Sequence, residues 1–180
     1  MFLKIKNLMY RFADAVGVVS SIGYIFIIVL CVVEVLLEKL TGMPVLGSYE
    51  MIERAMIVAV FASFAYGQTK KMHINVPIVL NFFPRAARLL SLGAMSTVST
   101  GIAFFVGYAA WTQCLTAKSM GQMTGILHIP LHPFYFVEAV AMVIFGLILI
   151  IDTIVVFLSL KDREMEKQTL VDYGMTPAKH

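Results

Sequence analysis

Four stretches of this chain stay apolar for about as long as a lipid bilayer is thick, and no other feature of the sequence constrains the fold as strongly. They run approximately Ala15 to Leu37, Met51 to Thr69, Leu89 to Leu115 and Phe134 to Leu160. A hydrocarbon core about 30 Å thick takes roughly 20 mainly apolar residues in a helix rising about 1.5 Å each, so each stretch can cross. None alternates apolar with polar residues two by two, which argues against barrel strands. In lipid the backbone must satisfy its own N–H and C=O groups, and helices do so. The expected fold class is an all-α integral membrane protein with four transmembrane helices. Composition agrees: 59% of residues are hydrophobic, 14% are charged and mean hydropathy is +0.85, whereas a soluble domain carries about 25% charged residues.

Orientation follows from the cations, because cytoplasmic flanks retain Lys and Arg. Lys4, Lys6 and Arg11 precede the first stretch, Lys70, Lys71, Arg85 and Arg88 separate the second from the third, and Lys161, Arg163, Lys167 and Lys179 follow the fourth. The opposite flanks hold only Lys39 and Lys118, with Arg54 inside the second stretch. Eleven against two predicts both termini in the cytoplasm. The net charge of +3 is spread over three flanks rather than gathered in one patch, so it signals topology and not nucleic-acid binding. The basic start before an apolar stretch has the outline of a secretory signal, but the stretch has span length and no clear A-x-A site follows it. It is expected to be the first span. Cys31 and Cys114 fall within or at the end of spans and read as small apolar packers rather than a disulfide.

Two shorter segments are expected at the membrane surface. Over Phe2 to Ala13, Ile5, Leu8, Met9 and Phe12 follow helical spacing opposite Lys4, Asn7 and Arg11, the pattern of an N-terminal amphipathic surface helix. Val76 to Phe83 is too short to cross and is bracketed by Pro77 and Pro84. It predicts a short interfacial helix or re-entrant elbow between spans 2 and 3, with Arg85 and Arg88, like Lys4, Lys6 and Arg11, against lipid headgroups. Residues 1–180 form one membrane domain, with a cytoplasmic tail over 161–180. No internal repeat suggests the inverted symmetry of a single-chain transporter core.

Ionisable residues inside spans are costly in hydrocarbon and mark the candidate sites. Counting along each helix from its middle puts Arg54 roughly 9 Å, Glu34 roughly 12 Å and Glu138 roughly 13 Å toward the outer surface. Glu50 stands four residues before Arg54, which predicts a local ion pair reaching Glu34 or Glu138. That layer reads as a structural brace or a contact with a partner protein. Asp152 lies roughly 7 Å inside the middle of the fourth span. Protonation, a hydrogen bond to Gln68 or to Ser63, or a group on another subunit would each accommodate it.

Enzymatic readings find little support. His73, His128, His132 and His180 all lie outside the spans, so axial haem ligation within the helices is not expected. Pro130 between His128 and His132 argues against a helical metal pair. H-E-x-x-H, G-x-S-x-G, Walker and C-x-x-C motifs are absent. No catalytic residue, metal or cofactor is expected in this chain.

The segment Gly47-Ser48-Tyr49-Glu50-Met51-Ile52-Glu53-Arg54, the apolar run after it, and Tyr66-Gly67-Gln68-Thr69-Lys70-Lys71-Met72-His73-Ile74-Asn75-Val76 resemble the small membrane subunit (Q-type, DctQ-like) of TRAP transporters, the tripartite ATP-independent periplasmic systems. Gly125-Ile126-Leu127-His128-Ile129-Pro130 is similar to the outer loop of that family, and the four-span layout matches along nearly the whole chain. Pro77 stands where the family's His-Ile-x-Val-Asp pattern has its Asp, so no role for that carboxylate carries over. The resemblance implies a bacterial inner-membrane protein. It implies a large M-type membrane subunit, which holds the substrate and sodium sites, and a periplasmic substrate-binding protein that delivers an organic anion. It gives the small subunit a scaffolding role, with Glu50 and Arg54 bracing the outer end and His73 ordering the cytoplasmic turn. Two other readings remain at this point: a self-contained four-span carrier acting as an oligomer, and a membrane anchor of a respiratory complex.

Overall fold

The computed structural model describes residues 2–70 and 84–159, with side chains from Asp14 onward and, in the second stretch, at Pro84 and from Ala87 onward. Four helices account for nearly all of them: α1 (Phe2–Thr41), α2 (Ser48–Thr69), α3 (Arg85–Ser119) and α4 (His132–Ser159). Each is longer than the apolar stretch inside it at one end or both, because polar flanks continue a helix until something stops it. Pro84 opens α3 in an extended conformation, and Pro133 sits in the first turn of α4, where its missing N–H has no partner to lose. Gly42 (φ 71°) ends α1, its N–H bonded to the Glu38 carbonyl at 2.8 Å. Gly121 (φ 60°) does the same after α3.

Residues 2–13 are helical, as their periodicity predicts, but no break sets them off as a surface helix. No proline precedes Pro44, so α1 runs unbroken for 40 residues, about 60 Å. The elbow expected over 76–83 and the tail over 161–180 lie outside the described residues.

The Asp14–Thr41 part of α1, the Ala87–Ser119 part of α3, and α4 are each long and apolar enough to cross a membrane. α2 is not among them, since Glu50, Glu53, Arg54 and Gln68 dilute its apolar run. Its packing nevertheless follows α1 along its whole length. Ser48 Oγ donates to the Glu34 carboxylate, Ser20 Oγ donates to the Ala59 carbonyl at 2.6 Å, Gly17 lies against Tyr66, and Lys70 pairs with Asp14 at 3.4 Å. As the α1 number falls the α2 number rises, so the two helices are antiparallel in one continuous register. Gly17, Ser20 and Gly23 let the backbones close together, as small residues do between helices in lipid.

Extensive contacts join α1 to α2, α2 to α4 and α4 to α3, so the helices stand in a row of that order rather than in a closed ring. α4 runs parallel to α2 and antiparallel to α3, whose Phe104 ring fills the space beside Gly146 while Phe157 of α4 fills that beside Gly93. The apolar core lies at these last two seams, around Leu89, Leu92, Met142, Phe145 and Leu149, with Phe64 of α2 stacked 5.6 Å from Phe145. The start of α1 and the end of α4 therefore share one end of the row, the terminal end. The connections 42–47 and 120–131 occupy the other, the looped end.

A Cβ at Gly17 would fall 2.5 Å from the Tyr66 ring, whereas one at Gly101 meets nothing within 4 Å. Gly17→Leu is expected to destabilise the chain in detergent by about 1–3 kcal/mol through overpacking. Gly101→Ala should leave stability unchanged or raise it by about 0.5–1 kcal/mol. Thermal unfolding of the two variants against the parent checks the contrast.

Candidate functional site

The ionisable residues singled out in the sequence gather at the two ends of α2, and the looped end is the more elaborate. After α3 the chain turns back on itself: Met123 and Pro130 form an isolated antiparallel bridge, Thr124 N–H donates to the Ile129 carbonyl at 3.0 Å, and Ile129 N–H donates to Thr124 Oγ1 at 3.0 Å. His128 adopts φ 54° at the tip. Two amides of this tip face α2, where Glu50 Oε1 accepts from Ile126 N–H at 2.8 Å and Glu50 Oε2 from Leu127 N–H at 2.9 Å. The Leu127 amide, followed by that of Ile126, holds the Glu50 carboxyl below its ordinary range, because both bonds favour the charged form. Leu127 also covers Gly47, at φ 84°, where a Cβ would lie 2.6 Å from the leucine Cγ. That position requires glycine twice over, for its backbone angle and for its space.

The ion pair expected between Glu50 and Arg54 does not form. Both Glu50 oxygens are engaged by the loop, and the Arg54 guanidinium instead meets Glu53 at 2.8 Å and lies 6.0 Å from the centroid of the Phe134 ring on α4. The Arg54 side chain is 13% exposed against 61% for Glu53, so the cation is drawn inward toward the aromatic face while its counter-ion stays at the surface. Nε of Arg54 is buried without a hydrogen-bond partner among the described residues. Glu34 is held by Ser48, and Glu138 stands half buried on α4. Glu34, Glu50 and Arg54, expected to share one network, instead make separate contacts at the start of α2.

At the other end of α2, Gln68 Nε2 donates to Asp152 Oδ2 at 2.7 Å. Both side chains are inside, at 0% and 2% exposure, so the bond joins α2 to α4 where water is excluded. Gln68 was one of the partners the sequence offered for Asp152. Arg88, expected among lipid headgroups, is buried at 6% exposure at the start of α3. His73 lies outside the described residues, and the side chains of Lys4, Lys6, Arg11 and Arg85 lie outside the described side chains. His128 caps its own loop, with Nδ1 3.1 Å from the Ile126 carbonyl, and the His132 carbonyl accepts from Cys114 Sγ at 3.2 Å. The two cysteines are free.

Sequence reasoning missed the grip of Glu50 on the loop. Its only local signal is an acid in the first turn of a helix behind a glycine, which as readily reads as a helix-dipole preference.

The family model for the DctQ component of tripartite ATP-independent periplasmic transporters matches residues 27–158. The chain belongs to the DctQ family. The match opens in the middle of α1 and closes one residue before the end of α4, so it takes in Glu34, Glu50, Arg54, Glu138 and Asp152 and both ends of α2. Neither a curated protein nor a solved structure matches the chain. As a DctQ component it is the small subunit of a TRAP transporter, a membrane protein of a transporter family and not of an enzyme family. DctQ components work with a DctM component and a periplasmic binding protein.

Two outcomes test the contacts at the ends of α2. Gln68→Leu leaves Asp152 without the amide donor in an apolar interior and should cost about 1–3 kcal/mol, measured by denaturant unfolding in detergent, while Asp152→Asn, which keeps a partner for Gln68, should cost less. The clasp on the 120–131 loop depends on an ionised Glu50 whose pKa is lowered by folding. Its contribution is present above the ordinary carboxylate value and is lost as pH falls through the lowered one. Hydrogen exchange at Ile126 and Leu127, corrected for intrinsic rates, should therefore accelerate severalfold on acidification, and Glu50→Gln should remove most of that pH step.

Proposed function

We propose that this DctQ component is a static scaffold subunit in the sodium-coupled uptake of an organic anion, lining the flank of its DctM partner while substrate and sodium bind elsewhere. The observation that carries the reading is the open row of helices. Glycines, alanines and aromatic rings fill the seams between α1, α2, α4 and α3, and the buried acid Asp152 is tied to Gln68. α1 presents Val19, Ile22, Phe26, Val29 and Val33 to its surroundings on the sides away from α2. Among the described residues such a row encloses no polar path of its own, and it offers long apolar flanks to a larger neighbour or to lipid.

In this reading α2 crosses the bilayer beside α1 despite its charges, since its 22 residues reach about 33 Å in continuous register. The looped end faces the periplasm, and the terminal end, with both chain termini, faces the cytoplasm of a bacterial inner membrane, in keeping with the eleven cations on that side. Glu34, Glu50 and Arg54 fix the start of α2 and the outer loop. Glu138 and Asp152 lie along α4, and His73 lies in the cytoplasmic turn. They act as structural and partner-interface positions rather than as substrate ligands.

Purification of the tagged chain from its native host in mild detergent is expected to recover a one-to-one complex with a much larger hydrophobic protein. Liposomes containing both proteins should accumulate solute when given the binding protein and a sodium gradient. Accumulation by liposomes holding this chain alone would overturn the scaffold reading. Arg54→Ala should lower complex yield or thermal stability while leaving substrate affinity of the assembled transporter unchanged; the reverse pattern argues for a direct role in binding.

A further inference from the structure

On one face of the row, the seam between α3 and α4 opens into a groove of about 440 Å³. Its floor is low because Gly107 has no side chain and Ala139 a small one, and the two helices approach until a Cβ on Gly107 would rest 3.4 Å from that of Met142. Phe104, Tyr108 and Trp111 form one wall and Val140 and Val143 the other. The groove is apolar in its lining, and it lies on helices long enough to span a membrane. That volume and lining suit a hydrocarbon chain.

What stands above the groove narrows the occupant further. Phe104, Tyr108, Trp111, Leu115 and Lys118 follow one another at spacings of four and three, so they share one face of α3. Moving toward the looped end, that face passes from a purely apolar ring to two rings with polar tips and then to a cation. Lys118 stands about 10 Å beyond Trp111, is exposed and makes no ion pair among the described residues. Apolar tail, glycerol-ester zone and phosphate fall in this order in a phospholipid, and Tyr and Trp favour the middle zone.

We propose that this groove is a phospholipid site, seating one acyl chain of an anionic phospholipid of the looped-end leaflet, with Tyr108 and Trp111 at the ester level and Lys118 on the phosphate. The proposal rests on the membrane-spanning reading of α3 and α4 and is independent of the scaffold role.

Trp111 is the single tryptophan of the chain, so it reports on the groove directly. The full chain is reconstituted in phosphatidylcholine vesicles containing a small fraction of lipid with brominated acyl chains, which quench indole on contact. Brominated phosphatidylglycerol is expected to quench Trp111 severalfold more effectively than brominated phosphatidylcholine at equal fraction, the size of preference that one lysine near an anionic headgroup supplies. Lys118→Ala should bring the two lipids level, Lys118→Arg should restore the preference, and Val143→Phe, which fills the groove from an exposed wall, should lower quenching by both. Excess inorganic phosphate should not compete, since without a tail it has no hold on the groove. Equal quenching by both lipids with no response to the variants means ordinary boundary lipid and overturns the proposal, as does displacement by phosphate alone. A photo-crosslinking residue at Val143 in native membranes extends the test to the assembled transporter: a lipid adduct supports the site, and a cross-linked polypeptide shows that protein covers the groove and overturns it.

Discussion

α2 is the one helix of the four not among those long and apolar enough to cross a membrane, and it is the joint between α1 and the packed pair α3 and α4. It lies between α1 on one side and α4 on the other, two neighbours that do not pack extensively on each other, so α1 stays in the row only through it. In lipid there is little hydrophobic drive to press helices together, because a neighbouring tail is as apolar as a leucine. Close approach and hydrogen bonding must supply the attraction. α2 has both: Ala59, Ala62, Ala65 and Gly67 are buried on it, and polar contacts stand at its start, its middle and its end.

Those contacts are graded by their surroundings. In the middle, Ser20 donates to a carbonyl already used by the helix ladder, a modest contribution of about 0.6 kcal/mol by the average for such bonds in a membrane protein. At the terminal end, Gln68 and Asp152 meet in full burial, where an unpaired partner is costly. At the looped end, Glu50 reaches outside the row and secures the tip of the loop after α3 through two backbone amides. A single acid in the first turn of α2 thus couples the connection after α3 to the connection before α2, and Leu127 seated over Gly47 closes the same joint from the apolar side.

The helical class and three of the four expected spans were legible in the sequence because an apolar run of bilayer length leaves few alternatives. The order of helices in the row was not, since hydropathy says which residues avoid water and nothing about which helix they avoid it against. The Glu50–Arg54 expectation failed for a related reason. Spacing of four places two side chains on one face of one helix, but their partners were decided by other elements, the 126–127 amides and the Phe134 ring. Asp152 and Gln68 were easier to connect, because a buried acid demands a donor and few donors lie at its depth. Arg88 misled because cations beside spans usually reach headgroups, and the burial that the start of α3 acquires has no signature in local composition. The family resemblance rested on the segment around Ser48 to Arg54 and on the His73 turn, and the family match over residues 27–158 contains both.

An open row also explains why charge and polarity sit where they do. A bundle that carried solute would need its polar groups convergent on a lumen, with at least one left free to exchange partners. Here the polar groups are dispersed along seams, and those at the ends of α2 are engaged with a neighbouring helix or loop. Among the described residues that distribution suits holding helices to one another rather than passing a solute between them. It is the distribution that the proposed scaffold role asks for, in which a partner changes shape against a neighbour whose polar groups are already spent on holding its own helices together.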